Sequence, residues 1–154
     1  MPPDANKFMK EFSGMAVASL IDLFSGYDQI TLDKKDRDMT AIYTPLGLLH
    51  QTTLLQGASN SVAQFIRIIF KILESISPNT VRVFFDDIRV KGPKTKYDRT
   101  KISSSLHQYI FEHLINLEKT LWFLELAGTT IAAEKSQFII IRLKIVSWVY
   151  NYDG

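Results

Sequence analysis

The chain has 154 residues, room for one domain with a real core. Hydrophobic residues make up 46% and charged residues 22%, which excludes a disordered or fibrous chain. A net charge of +2 and a pI of about 8.8 are too mild to argue for nucleic acid on their own, and with no cysteine there is no disulfide or thiolate metal site.

The start, Met1-Pro2-Pro3-Asp4, has no basic stretch followed by an apolar one, so it does not read as a signal peptide. No apolar run approaches the ~20 residues of a membrane helix. A soluble, intracellular setting is expected, cytoplasmic or nuclear. No repeat, low-complexity tract or linker divides the sequence, so residues 1–154 read as a single domain.

In chain order, residues 4–12 read as a short helix with Asp4 as N-cap. Residues 16–21 are apolar, bounded by Gly14 and Ser25-Gly26, and suit a buried strand. Residues 33–38 carry mixed charge and read as a solvated turn. Residues 41–44 and 48–54 can pair as a hairpin around Pro45 and Gly47.

Asn60 is a good N-cap for a helix whose Val62, Phe65, Ile66, Ile69, Leu73 and Ile76 share one face. Pro78 and Asn79 end it. Residues 80–85 are β-branched and aromatic, Asp86-Asp87 reads as a tight turn, and residues 88–91 return as a second strand broken by Gly92-Pro93. A long helix is expected over residues 104–127, with Leu106, Tyr109, Ile110, His113, Leu114, Leu117, Leu121 and Leu124 at helical spacing and Gly128 as its αL cap. Residues 129–132, 137–141 and 143–150 read as short strands. The order strand, long helix, strand-turn-strand, long helix, strand is an α+β, ferredoxin-like split βαβ pattern, which hosts many functions.

Asp22 closes a buried strand and Asp86-Asp87 sit between two others. In a ferredoxin-like sheet that strand and that hairpin are neighbours, so Asp22 is expected to face the Asp pair. Hard divalent cations seek carboxylate oxygens, and two of them about 3.5–4 Å apart can clamp both oxygens of an in-line phosphoryl displacement. The plainer alternative is that Asp suits turns. The apolar flanks Phe84, Phe85 and Ile88 favour the cation, because adjacent like charges there repel unless neutralised.

The motifs then become specific. Residues 19–30, SLIDLFSGYDQI, resemble the first palm motif of gypsy-type LTR retrotransposon reverse transcriptases. LLQGASNSVAQF at 54–65 is similar to the motif that opens the palm helix, and VFFDDIRVKGPK at 83–94 resembles the aromatic-x-Asp-Asp hairpin. LELAGTTIAAEKSQF at 124–138 resembles the Gly…Lys motif, and LKIVSWVYNYDG at 143–154 the strand pair that grips the primer end. The motifs run in family order nearly end to end.

The resemblance implies an RNA-directed DNA polymerase: a ferredoxin-like palm with partial fingers and no thumb, cut from a Pol polyprotein. It implies two Mg²⁺ ions (Mn²⁺ as an alternative) held by Asp22 and Asp86, with Asp87 as third acid and the Leu23 carbonyl as a further ligand. Tyr27, five residues after Asp22, takes the position under the incoming sugar, where a ring excludes a 2′-hydroxyl; an ordinary core aromatic is the alternative. Gln56 and Gly57 match the pair lying against the incoming nucleotide. Lys135, seven residues after Gly128, matches the lysine that protonates or neutralises the leaving pyrophosphate; a surface lysine is the alternative. The implied reaction is attack of a primer 3′-hydroxyl on the α-phosphate of a dNTP, on an RNA or DNA template.

Arg89, Lys91, Lys94, Lys96, Arg99 and Lys101 stand against Asp98 alone, a run able to hold phosphates without sequence preference, or simply a solvated basic loop. The three histidines form no motif, and His113, on an apolar helix face, is expected to be packed. The family's fingers strands, thumb, ribonuclease H and integrase are absent, and are implied as missing partners. Residence in retrotransposon particles is a further setting. Val146-Ser147 and Arg142 depart from the usual small and Leu-Gly residues of the primer-gripping motif. Residues 138–141 and 145–150 are apolar and β-prone, so self-association is expected. Two other readings are a catalytically inactive remnant that at most binds nucleic acid, and a nucleotide cyclase with two metals on a similar sheet.

Overall fold

The structure is a computed structural model that describes residues 10–141, 143–145 and 148–150. Its centre is a four-stranded antiparallel sheet built from β1 (Ala18–Asp22), β4 (Val81–Phe84), β5 (Asp87–Lys91) and β6 (Gln137–Ile140), in the order β4-β5-β1-β6. Between them lie the β2 (Ile42–Thr44) and β3 (Gly47–Leu49) hairpin, helix α1 (Ser61–Ile72) and helix α2 (Gln108–Leu126). Strands β7 (Leu143–Ile145) and β8 (Trp148–Tyr150) pair as a separate ribbon. This is the expected split βαβ order, with the two crossover helices on one sheet face.

Strand alternation explains the two layers. On one face Ile21, Val81, Val83, Ile88 and Val90 meet Phe65, Ile69 and Leu73 of the first helix region and Leu117 and Leu124 of α2, all buried. Phe65, Ile69 and Leu73 recur every four residues, so they form one stripe. On the other face Ala18 and Phe84 pack with Phe12, Met15 and Ile140. There Glu11 binds both Arg82 Nε at 3.2 Å and Lys91 Nζ at 2.9 Å.

Several boundaries differ from the sequence reading. Residues 10–12 are helical, whereas Asp4 and the rest of that predicted helix lie outside the described residues. Residues 34–40 form a 3-10 helix rather than a plain turn, with the Asp33 side chain accepting from Lys35 N–H. The Asn60 side chain makes no capping bond. The helix after it stops at Ile72, and the next carbonyls are satisfied by turns: Ile76 and Ser77 N–H both donate to Leu73 O. Helix α2 starts at Gln108, not near Ser104. The serines at 103–105 compete for backbone hydrogen bonds, and Ile102 N–H instead donates to Leu106 O in a small turn. Residues 129–132 form no strand; Ile131 makes a lone bridge to Leu23. Gly128 does cap α2, at φ +73°.

His113 is fully buried in α2, as expected for its face. Its Nδ1 lies 3.3 Å from the Lys91 carbonyl and its Nε2 2.7 Å from Ser19 Oγ. A carbonyl only accepts, so Nδ1 carries the proton and Ser19 O–H donates to Nε2. Ser19 Oγ in turn accepts from Ile139 N–H at 3.0 Å, which ties α2, β1 and β6 together. Burial pushes the imidazole pKa below its ordinary 6.5, against the opposing pull of the Lys91 carbonyl. The unfolded chain therefore takes up this proton first as pH falls. The stability linked to neutral His113 is present above pH 6.5 and is lost as pH drops through the lower folded value. Chemical denaturation at stepped pH is expected to show a slope of up to about 1.4 kcal/mol per pH unit between pH 6.5 and that lower value, absent in His113→Gln.

Candidate active site

β1 carries Asp22 to the end of the sheet, and its register sets Asp22 opposite Asp87, the first residue of β5. The turn between β4 and β5 is therefore Phe85-Asp86, one residue earlier than the sequence reading placed it. Two-residue hairpin loops favour positive φ, and Phe85 adopts φ 56°, which costs a bulky residue about 1–3 kcal/mol. Its ring meets Phe84 edge-on, with centroids 4.7 Å apart. That turn leaves Asp86 exposed at the tip, whereas Asp87 is half-buried in the strand.

The opposite wall comes from residues 129–136. Ala132 N–H donates to Asp22 O at 2.8 Å, and Asp22 N–H donates to Ser136 Oγ at 3.1 Å. Ser136 O–H then donates to Ala132 O, closing a clamp that sets Lys135 beside Asp22. Gln29 fastens the same segment: its Oε1 accepts from Thr130 N–H at 2.7 Å, and its Nε2 donates to the carbonyls of Phe24 and Thr130. The Leu23–Ile131 bridge is closed by Phe24 N–H to Thr130 O and Ala132 N–H to Asp22 O, so the Leu23 carbonyl is not spent there.

The result is a cavity of about 230 Å³ lined by Asp22, Leu23, Tyr27, Gln56, Asp86 and Lys135, among others. Tyr27 stacks on Phe65 with ring centroids 4.7 Å apart and 19° between planes. A side chain at Gly26 would meet the Phe65 ring at 3.0 Å, so glycine there lets the ring pair close. Gly57 needs glycine for its backbone, at φ +96°, rather than for crowding. Burial raises the Asp22 pKa, with Asp86 and Asp87 adding to the rise and Lys135 opposing it. Burial and Asp86 also raise the Tyr27 hydroxyl.

Of the residues singled out from sequence, the cavity gathers Asp22, Leu23, Tyr27, Gln56, Asp86 and Lys135. Asp87 is not among its lining residues; its Oδ2 lies 2.6 Å from Arg89 Nη2. The expected basic surface is corrected in two places. Arg89 is 2% exposed, turned into the sheet by its strand position. Lys91 is bound to Glu11 and the Pro78 carbonyl, over the Phe12 ring. Lys94 is exposed and Lys96 half-buried. Ser25, Gly26, Asp28 and Phe65 also line the cavity, and Ser136 and Gln29 build its wall; all six lie inside the quoted motifs but were not singled out for the site, and the partners of Ser136 and Gln29 lie about a hundred residues away.

The donor chemistry suits a hard divalent cation. Asp22 is held against its own ionisation beside a second carboxylate, and a bound cation relieves both. Among the described residues no three acidic or histidine side chains form a complete cage. Two carboxylates and a backbone carbonyl are what a Mg²⁺ site keeps when substrate phosphates supply other ligands.

Residues 3–150 match the family model described as reverse transcriptase (RNA-dependent DNA polymerase), and the chain belongs to that family. It is 28% identical over 152 residues to the retrovirus-related Pol polyprotein from transposon opus of Drosophila melanogaster, covering 99% of this chain and 14% of that protein. It is 33% identical over 79 residues to the corresponding polyprotein from transposon 412 of the same organism, covering 51% of this chain and 6% of that one. The fold is similar to the foamy viral protease-reverse transcriptase in complex with RNA/DNA hybrid, with TM-score 0.78 and 23% identity, over 100% of this chain and 19% of that one. The same viral protein in complex with double-stranded DNA gives TM-score 0.71 and 25% identity, over 89% and 23% of the two chains. The mixed helix-and-sheet architecture is thus a partial polymerase palm, one that spans 14% of the opus polyprotein's length.

Proposed function

We propose that this chain is the catalytic palm portion of an RNA-directed DNA polymerase, extending a DNA primer with dNTPs on a nucleic-acid template. The observation that carries the reading is the meeting of Asp22, at the end of β1, and Asp86, in the turn between β4 and β5, with Tyr27, Gln56 and Lys135 around one cavity in a reverse transcriptase family member. Asp22, Asp86 and the Leu23 carbonyl would hold divalent metal. When bound, the two ions activate the primer hydroxyl and stabilise the charge on the departing pyrophosphate.

The chain's own residues do the rest. Lys135, fixed by the Ser136 clamp, presents a cation to the triphosphate and is placed to give a proton to the leaving group. Gln56 and the open backbone at Gly57 lie along the nucleotide. Tyr27, braced by Phe65, fills the space a 2′-hydroxyl would need. The foamy viral protein of similar fold is seen with RNA/DNA hybrid and with double-stranded DNA, and both are proposed as partners here.

Primer extension on an RNA template tests this, in a chain extended on both sides toward the length of its relatives. With Mg²⁺, dNTPs are expected to be incorporated and rNTPs rejected. Tyr27→Val is expected to raise ribonucleotide incorporation by roughly ten- to hundredfold, the scale of one lost steric contact. No incorporation by the parent, or unchanged sugar selection by the variant, would count against the reading.

A further inference from the structure

Packing on the sheet accounts for only one face of α2, where His113, Leu117, Thr120 and Leu124 are buried. On the opposite face stand Phe111, Ile115, Trp122 and Leu126, between 36% and 69% exposed. They follow one another at intervals of four, seven and four residues. At 3.6 residues per turn they fall within about 60° of arc and form a ridge about 22 Å long. Trp122 meets the Phe123 ring edge-on, with centroids 4.9 Å apart, which steadies the largest side chain of the ridge. A helix that is apolar on opposite faces is normally covered on both.

Two charges flank the middle of the ridge. Glu118 and Lys119 are exposed, and they are the only charged residues between Leu114 and Phe123. They lie about 50° to either side of the ridge's midline, Glu118 on one side and Lys119 on the other. Sequence neighbours on a helix do not face each other, and among the described residues neither enters an ion pair.

This arrangement is self-complementary in one orientation. A two-fold axis parallel to α2 sets each apolar residue against its own counterpart. It also brings Glu118 of each copy beside Lys119 of the other, offset by about 1.5 Å in height. An antiparallel pairing would instead set Glu118 against Glu118 and Lys119 against Lys119. We propose that α2 is a self-association surface, on which two copies of this chain pair in parallel through the Phe111–Leu126 ridge and two Glu118–Lys119 contacts. The contact lies on the side of α2 away from the sheet, so it stands or falls apart from the metal-binding reading. It is also separate from the residues 138–141 at which the sequence suggested self-association.

Sedimentation velocity of the full chain from about 5 to 300 µM tests this, with circular dichroism to monitor folding. Two helix ridges bury less than the ~1,200 Å² of a standard interface, so a dimer with a dissociation constant on the order of 10–100 µM is expected. Trp122→Glu is expected to weaken it at least about thirtyfold, the scale of a lost anchor. Leu126→Glu, at a more exposed position, serves if that variant does not fold. Glu118→Lys and Lys119→Glu are each expected to weaken association about tenfold, because like charges then meet. The chain carrying both changes is expected to return to within about threefold of the parent. A parent that stays monomeric at 300 µM overturns the proposal and leaves the ridge to a different partner. Association that survives both Trp122→Glu and Leu126→Glu but is lost in Ile141→Lys overturns it in favour of the sheet edge. A double charge variant no tighter than the single ones overturns the parallel pairing.

Discussion

Asp86→Asn is expected to lower the rate of primer extension by roughly 10²–10³-fold or more, the cost of removing one charge-stabilising group from a preorganised site. The substitution keeps the size and hydrogen-bonding shape of the side chain and removes only its charge. Asp86 is exposed at the hairpin tip, so little packing is lost and the melting temperature should move by only a degree or two. That separation makes the variant informative: it reports on chemistry and leaves folding nearly untouched. Single-turnover extension, with the variant in a chain that carries the flanking portions of its relatives, is the measurement. A rate within tenfold of the parent would show that Asp86 does not serve the reacting phosphates.

Gly92→Ala is expected to act on the fold instead, destabilising it by about 2–3 kcal/mol, the upper range for forced overpacking. A Cβ at residue 92 would sit 2.2 Å from Val17 O, 2.8 Å from Val17 Cγ1 and 3.0 Å from Val17 C. Two of those three atoms are backbone and cannot swing aside. The backbone is also stapled there, since Ala16 N–H donates to Pro93 O at 2.8 Å. Relief would require β1 and the end of β5 to separate, and β1 is the strand that ends in Asp22. Urea unfolding of the chain is the direct assay. A loss below about 0.5 kcal/mol, the size of an ordinary surface change, would mean that the two strands are not held this closely.

Legibility in the sequence followed physical locality. The αL glycine after the second helix and the strand-turn-strand at the Asp pair rest on local patterns, and the structure bears both out. The polar residues beneath the Asp pair were not legible. Arg89 lies in a run of basic residues that looks solvent-facing, yet strand alternation from Asp87 turns it inward to a partner two residues back. Lys91 follows the same alternation to Glu11, eighty residues away in sequence. The hairpin turn was misplaced by one residue because Asp is commoner than Phe at positive φ. Here the register with β1 overrides that preference and puts the strain on Phe85. The start of α2 slipped because apolar spacing continues upstream through Leu106, while the three serines before it favour a turn. The clamp made by Ser136 and Gln29 had no local signature at all; it exists only once residues 129–136 lie along the end of β1.

All of this depends on two carboxylates, one ending β1 and one in the β4-β5 turn, binding divalent metal beside a nucleotide cavity. Paramagnetic broadening by Mn²⁺ in ¹⁵N-labelled full-length chain examines that point directly. At substoichiometric Mn²⁺, amide signals of residues 22–27, 85–87 and 135 should broaden first, and Asp22→Asn should abolish the effect. Broadening centred elsewhere, for example on the Asp33–Asp38 segment, or an effect that survives Asp22→Asn unchanged, would contradict it.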